Sequence, residues 1–256
     1  MKKILPVVMA FLALAGCSKT DAVVEEAKTT IAPTAPTAPI AQVATMEEWT
    51  IALKSSYKEG NVEDKGDGIT EFTAFFQNPD NKEERAFTFG TRDGFRKLRF
   101  YKPGIPMPIL TALKTYVSVP DGKKPVLFLS PYFWSDNGWL FMNKVSIMVD
   151  GEIVLEHDLS NSDVQRDAGR GEVEEIAHFV ADDNDILALR KINKNSKVLI
   201  RFSGTKGYKN LQRETKKGGN AVDTFKMDIV DALYAYDSLS KAVAGIVPID
   251  NAAHTK

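Results

Sequence analysis

Short apolar runs separated by Asp-Gly and Asn-Gly pairs are the sequence feature that most restricts the fold of this chain. Such pairs readily adopt the positive-φ backbone of tight turns between antiparallel strands. They occur at Asp67-Gly68, Asp93-Gly94, Asn137-Gly138 and Asp150-Gly151. Several flanking runs alternate apolar and polar residues, which is the pattern of half-buried strands. The chain is therefore predicted to be mainly β.

The predicted strands follow this alternation and these turns. They cover residues 49–57, 69–76, 85–91, 95–101, 126–134, 139–149, 152–158, 173–180, 197–203 and 208–213. Asn137-Gly138 is predicted to join two of them in a hairpin, and Gly204 with Gly207 to join the last two. Residues 107–119 fit either a strand or a short helix.

Two helices interrupt the strand pattern. One is predicted to begin at Asp182, with acidic residues in its first turn and basic residues in its last, as the helix dipole prefers. The other covers about residues 221–244, whose apolar residues share one face that would pack on a sheet. We predict an antiparallel β-sandwich, immunoglobulin-like or related, with a C-terminal helix and one short helix.

The start of the chain combines positive charge with a short apolar run. Lys2 and Lys3 precede residues 4–15, which are too few to span a membrane but match the apolar region of an export signal. The run ends at Leu14-Ala15-Gly16-Cys17, which resembles the lipobox of bacterial lipoproteins. Cys17 is the only cysteine, so it has no disulfide partner within the chain. We predict a lipoprotein signal peptide over residues 1–16.

The lipobox resemblance implies lipid attachment at Cys17, with a diacylglyceryl group on its sulfur and an acylated new amino terminus. Two or more acyl chains anchor a protein stably, whereas one chain is marginal. In lipoproteins of Gram-negative bacteria an Asp after the cysteine favours retention in the inner membrane, so Ser18 favours the outer membrane. The predicted location is the cell envelope, lipid-anchored, with the periplasmic or surface face left open.

A linker separates the predicted anchor from the folded part. Within residues 17–45, the stretch 32–39 repeats Ala-Pro-Thr. Proline at every third position favours extended polyproline II structure, which acts as a semi-rigid spacer. A β-rich domain is predicted over residues 46–256, and a boundary near Pro120-Asp121-Gly122 would divide it if it forms two units.

Net charge and histidine spacing exclude several classes of function. Without residues 1–16 the chain has 31 basic and 34 acidic residues, a net charge of −3, which is not typical of nucleic-acid binding. His157, His178 and His254 stand alone in the sequence, and the acidic stretch 64–71 is too short for a calcium loop. We therefore expect no metal site, no cofactor and no nucleic-acid partner.

A serine-lysine pair is the most tempting catalytic pattern. Ser55-x-x-Lys58 and Ser135-Asp136-Asn137 resemble motifs of serine β-lactamases and penicillin-binding proteins, which also need a Lys-Thr-Gly element. No Lys-Thr-Gly occurs, and the predicted strand would place Ser55 and Lys58 on opposite faces. We expect no catalytic residues and no enzymatic activity.

Two weaker patterns indicate binding. Tyr132, Trp134 and Trp139 flank the predicted turn and are candidate ligand-binding residues for sugar rings or a partner's apolar surface, although filling the core is the more ordinary role of aromatic residues. A basic group follows in the last predicted hairpin: Arg201, Lys206, Lys209 and Arg213. It would bind an anionic partner unless it pairs with the acidic residues of 150–185 across neighbouring strands.

The body of the chain resembles only uncharacterised exported bacterial proteins. The residues concerned are Trp139-Leu140-Phe141, Asp150-Gly151, Arg201-Phe202, Gly204 and Tyr208. The resemblance implies no activity. The leading hypothesis is a non-catalytic binding or assembly module on a membrane, engaging an envelope protein or glycan. The alternatives are an envelope hydrolase acting on peptidoglycan or polysaccharide through carboxylates, and a scaffold.

Replacing Cys17 by Ala tests the division into anchor, spacer and domain. Because lipid on Cys17 is the only predicted anchor, the Cys17→Ala chain should leave the membrane fraction and remain folded. Fractionation followed by circular dichroism of the released protein measures both. Loss of folding in the released chain would contradict the proposed independence of the domain.

Overall fold

The computed structural model describes residues 45–77, 85–104, 111–169, 171–211 and 221–246. The helices are α1 (Met46–Ser55), α2 (Asp183–Leu189) and α3 (Ala221–Val243). The first strands are β1 (Lys58–Gly66), β2 (Ile69–Gln77), β3 (Arg85–Asp93), β4 (Leu98–Pro103), β5 (Ala112–Pro120) and β6 (Val126–Ser135). The others are β7 (Met142–Val149), β8 (Glu152–Asp158), β9 (Val164–Gly169), β10 (Glu172–Ala177), β11 (Phe179–Val180), β12 (Val198–Gly204) and β13 (Gly207–Asn210).

The described strands form two antiparallel sheets. The large sheet has the order β1-β2-β3-β4-β5-β6-β10-β9, and β11 also pairs with β6. The small sheet has the order β13-β12-β7-β8. Together with the C-terminal helix, this confirms the predicted mainly-β, sandwich-like fold.

One hydrophobic core joins both sheets to α3. On the large sheet it contains every second residue of the strands, including Phe72, Phe76, Tyr101, Val117 and Leu129. The small sheet contributes Val145, Ile147, Ile200 and Phe202, and α3 contributes Phe225, Ile229 and Leu239. We call the side of the large sheet that carries these residues its inner face. The prediction that the last helix packs on a sheet is confirmed, since α3 lies against β3, β4 and β5.

The predicted strand over residues 49–57 is wrong, because this segment forms α1. Thr45 caps the helix, with its Oγ1 accepting from the Glu48 N–H while the Glu48 carboxylate accepts from the Thr45 N–H. Trp49 and Leu53, four residues apart, are fully buried, whereas Ile51 is 62% exposed. The alternation in the sequence therefore coincides with a helical face, and burial follows the helical period.

The turn predictions have mixed outcomes. Asp67-Gly68 and Asp150-Gly151 have positive φ at both residues and join neighbouring strands, as predicted. Gly204 and Gly207 close the predicted last hairpin. The hairpin predicted at Asn137-Gly138 is wrong, since β6 belongs to the large sheet and β7 to the small one. Only the glycine of that pair has positive φ, and the chain there crosses between the sheets.

A buried carboxylate holds this crossover. Glu175 on β10 is fully buried, and its two oxygens accept hydrogen bonds from the backbone N–H groups of Leu140, Phe141 and Met142 at 2.7, 2.8 and 2.6 Å. The Arg166 Nε lies 3.4 Å from the same carboxylate. Charge-assisted bonds of this kind offset the desolvation of the carboxylate and satisfy a backbone segment that has no strand partner.

The opposite side of the crossover requires a glycine. The Thr205 and Lys206 N–H groups donate to the carbonyl oxygens of Phe141 and Leu140, both at 3.3 Å. A Cβ at Gly204 would lie 2.2 Å from the Leu140 oxygen, so no larger residue fits there. The crossover is thus fixed between β10 of one sheet and the β12–β13 hairpin of the other.

Replacing Glu175 by Gln should destabilise the domain strongly. The amide keeps one acceptor oxygen and turns an NH₂ group toward a backbone donor, so at least one buried N–H loses its partner. We expect the free energy of unfolding to fall by about 2–4 kcal/mol in urea denaturation. Glu152→Gln, an exposed acid at the start of β8, is the control and should change it by less than about 0.5 kcal/mol. Equal effects of the two substitutions would contradict the role of Glu175.

Candidate binding surface

The outer face of the large sheet carries a row of aromatic side chains. They are the residues that alternate with the inner-face core, and we call them the aromatic surface: Phe75, Phe87, Phe89, Phe100, Tyr116 and Phe128. All are partly exposed, and Phe75, at 37%, is the most exposed of them. None of these rings belongs to the core that the inner face shares with the described helices and the small sheet. From α3, Thr224 and Asp228 approach them only as part of the wall of a shared cavity.

The rings contact one another in two groups. Phe87 lies 5.2 Å from Phe75 and 4.9 Å from Phe89, measured between ring centroids. Tyr116 stacks almost parallel on Phe128 at 5.0 Å and meets Phe100 edge to face at 6.1 Å. Such contacts fix the ring orientations, so the aromatic surface is preorganised.

Positive charge adjoins the aromatic surface. A cavity of about 740 Å³ is lined by Phe89, Phe100 and Tyr116 together with Lys102 and Lys114. Lys114 Nζ lies 4.6 Å from the centre of the Tyr132 ring. Among the described residues, neither lysine has a carboxylate within 4 Å. Asp93, which is paired with Arg96, and Asp228 also line the cavity, so its charge is positive on balance. An anionic group on a ligand would find the two ammonium groups beside apolar rings.

His178 adds a neutral polar group at the same cavity. Its Nδ1 lies 3.4 Å from the Tyr116 hydroxyl. Burial, and secondarily the positive charge of Lys102, lower the pKa of His178 from its ordinary value of 6.5. The ring is therefore uncharged at neutral pH and can donate or accept one hydrogen bond from a ligand.

The three aromatic candidates from the sequence are separated. Tyr132 and Trp134 lie on the outer face of β6, where Trp134 Nε1 donates to the Glu172 carboxylate at 3.3 Å. Burial, with the nearby Glu174 and Glu172, raises the pKa of Tyr132 to about 12. Trp139 instead packs against the hydrophobic core. Of the three, only Tyr132 lines the cavity beside the aromatic surface.

The described basic residues of the last hairpin belong to β12, β13 and the turn between them, at the end of the small sheet opposite β8. Arg201 stacks over the exposed Tyr208 at 4.3 Å and donates to Asn210 Oδ1 at 2.9 Å. Lys206 and Lys209 are exposed, and Arg213 lies outside the described residues. Because β7 separates β12 from the acidic β8, the two charged segments are not neighbouring strands there.

The serine-lysine pattern is split between two elements. Ser55 ends α1, where its hydroxyl donates to the Ala52 carbonyl, and Lys58 opens β1. The strand placement predicted for both residues is wrong for Ser55. Ser135 Oγ accepts from the Asn137 N–H, a local turn contact.

The described ranges contain neither a candidate metal cluster nor a helix that could span a membrane. Within them, no group of three or more His, Cys, Asp or Glu side chains could hold a metal ion. No helix among the same residues has the length and apolar character needed to cross a membrane.

Two aspartates on α3 have raised pKa values. Burial raises the pKa of Asp228 to about 6, and the neighbouring Asp231 adds to the shift. Burial also raises the pKa of Asp231 to about 6, although the Phe87 N–H, which donates to it, acts in the opposite direction. Asp228 lines the cavity beside Gly104, where a Cβ would lie 2.4 Å from its Oδ1.

Most of the aromatic surface was not identified from the sequence. Phe87 and Phe89 are spaced two apart in a predicted strand, which is the one signal that could have placed them on a common face. Which face lies opposite the core depends on the pairing order of the strands and on the position of α3. Local patterns in a single sequence do not show that pairing order.

Comparisons with family models, with curated proteins and with solved structures found no match to this chain. The site therefore has to be interpreted from its own geometry.

Replacing Asp228 and Asp231 by Asn should stabilise the domain at neutral pH. Their folded-state pKa values of about 6 exceed the ordinary 3.8, so the folded protein binds protons more tightly than the unfolded chain and loses stability as pH rises from about 4 to 6. The double variant should melt higher than the wild type at pH 7.5, and the difference should vanish below about pH 4.

Melting curves by circular dichroism between pH 3.5 and 8 measure this difference. Asp67→Asn, at an exposed turn, is the control and should give a difference that does not change with pH. A pH-independent gain in the α3 double variant would contradict the raised pKa values.

Proposed function

We propose that this protein is a lipid-anchored binding module of the bacterial envelope that binds an acidic glycan on the aromatic surface. The observation that carries the proposal is the row of partly exposed rings beside Lys102 and Lys114 on the sheet face opposite the core. The anchor and the spacer remain predictions from the sequence, and the proposal includes them.

The aromatic surface suits sugar rings because it is apolar, broad and interrupted by polar groups. The exposed parts of the Phe100 and Tyr116 rings offer apolar contact to the C–H faces of a pyranose. Thr91 and Ser130 line the same cavity and can exchange hydrogen bonds with hydroxyl groups. A binding site of this size with a few polar groups among apolar side chains is typical of small-ligand and oligosaccharide recognition.

The charge near the rings favours an acidic glycan over a neutral one. Lys102 and Lys114 would pair with carboxylate or phosphate substituents, and charge-assisted hydrogen bonds are stronger than those between neutral groups. The chain as a whole is slightly acidic. The local positive charge is therefore a property of this surface and not of the protein in general.

The alternative function is hydrolysis of the same class of polymer. Asp228 lines the cavity and, with a pKa of about 6, keeps about a tenth of its carboxyl groups protonated at pH 7, as a general acid requires. Incubation with purified peptidoglycan, followed by chromatography of soluble products, tests this. Products that form with the wild type and not with Asp228→Asn would replace the binding proposal by the enzymatic one.

Titration with alginate, a polyuronate, against dextran of matched length tests the binding proposal. We expect alginate to bind and dextran to bind at least about fivefold more weakly, since two charge-assisted contacts are missing. Tyr116→Ala should weaken alginate binding about fivefold or more through the lost ring contact. Lys102→Gln with Lys114→Gln should weaken it about tenfold and reduce its salt dependence.

Two control variants distinguish loss of binding at the aromatic surface from general effects of removing an apolar side chain or a positive charge. Leu187→Ala removes an exposed apolar side chain on α2, and Lys209→Gln removes an exposed charge on β13. Both should bind alginate as the wild type does. Binding that falls with Lys209→Gln but not with the outer-face variants would assign the site to the basic hairpin and overturn the proposal.

A further inference from the structure

Two arginines stand directly opposite each other on the inner face of the large sheet. Arg92 on β3 and Arg99 on β4 are cross-strand partners. The side chain of Arg99 is only 7% exposed and that of Arg92 is 27% exposed. Like charges in this position repel each other, and their burial adds a desolvation cost. An anionic partner is therefore required.

One carboxylate serves both guanidinium groups. Asp121, in the turn after β5, accepts two hydrogen bonds from Arg92, at 2.7 and 2.8 Å, and a further one from Arg99. The Arg99 guanidinium also lies over the Trp49 ring at 5.5 Å. A single negative charge against two positive ones leaves the group with an excess of one positive charge.

A cavity of about 150 Å³ opens beside this group. Its lining residues are Lys54, Tyr57, Glu59, Val62, Thr70, Phe72, Arg92 and Arg99. The Tyr57 hydroxyl is buried and forms no well-aligned hydrogen bond in the described part of the chain; its polar neighbour is the Tyr101 hydroxyl, which is likewise unpaired. Leaving a buried hydroxyl unpaired costs free energy, so the cavity presents a donor that a ligand could satisfy.

Lys54 completes the positive lining from α1. Its ammonium group lies 3.4 Å from the Glu59 carboxylate, and both side chains are partly exposed. The charged groups around the cavity are Lys54, Arg92 and Arg99 against Glu59 and Asp121. Their sum is positive, and the one acid on the cavity wall is already paired with Lys54.

We propose that this cavity binds a phosphate group, either as free inorganic phosphate or as the phosphomonoester of a lipid headgroup. Arg99, Lys54 and the Tyr57 hydroxyl supply donors of the kind that bind phosphate oxygens. The volume holds a tetrahedral oxyanion, since it corresponds to several water molecules at about 30 Å³ each. Arg99 and the Tyr57 hydroxyl are both buried, as a formed site requires, and the site is independent of the aromatic surface on the other face.

Thermal melting of the full lipidated chain in detergent tests the proposal. At matched ionic strength and pH, 50 mM inorganic phosphate should raise the melting temperature by about 2–4 °C relative to chloride. Mixed micelles carrying phosphatidic acid, compared with phosphatidylcholine, test the lipid source. A shift with phosphatidic acid alone assigns the site to a headgroup, and a shift with inorganic phosphate assigns it to the free ion.

Variants separate specific binding from a general salt effect. Tyr57→Phe keeps the ring and removes only the hydroxyl, and Lys54→Gln removes a partly exposed charge, so both should fold and lose at least half of the phosphate-dependent shift. Lys241→Gln, an exposed lysine in the last turn of α3, should keep the full shift. Equal stabilisation by phosphate and chloride, or a full shift in both cavity variants, would overturn the proposal.

Discussion

The carboxylate of Glu175 is the interaction on which the two-sheet arrangement depends. The chain leaves the large sheet at Ser135 and enters the small sheet at Met142. Between them, consecutive backbone N–H groups point to one buried side chain instead of a neighbouring strand. An apolar residue at position 175 would leave these donors buried without partners, which costs more than the burial of a paired carboxylate. The crossover therefore has one conformation, and the small sheet has one position.

The exclusion of the outer-face rings from the core follows from that position. Since the small sheet and α3 share the inner face of the large sheet, the core is complete without the alternate residues of β2 to β6. Phe87, Phe100 and Tyr116 therefore lie outside the core, where aromatic residues are usually found. These rings contact one another but remain partly exposed, so they keep apolar surface in contact with water. Such area is typical of a binding surface.

Sequence patterns predict a turn correctly where one residue pair determines the backbone conformation. They predict it wrongly where contacts between distant segments determine it. Asp150-Gly151 specifies a tight turn because both residues tolerate positive φ. Asn137-Gly138 has the same chemistry but forms no hairpin. The backbone N–H groups that follow it, at residues 140–142, donate to the distant Glu175 carboxylate and not to β6. The apolar spacing of Trp49 and Leu53 fits a helix as well as a strand, and only the Thr45 cap distinguishes them. The cavity beside Arg99 depends on strand register, which no local pattern encodes.

The two sites on the large sheet differ in how their charge is balanced, and this difference separates their roles. On the inner face, Asp121 reaches the arginine pair and neutralises part of it, so the remaining charge is buried and accessible only to a small anion. On the outer face, Lys102 and Lys114 are exposed beside partly exposed rings, and no described carboxylate lies within 4 Å of either ammonium group, so they can contact a large ligand. Because the two cation groups lie on opposite faces, a phosphate in one cavity does not obstruct a glycan on the other surface. A ligand effect at one site can then be measured while the other is left intact.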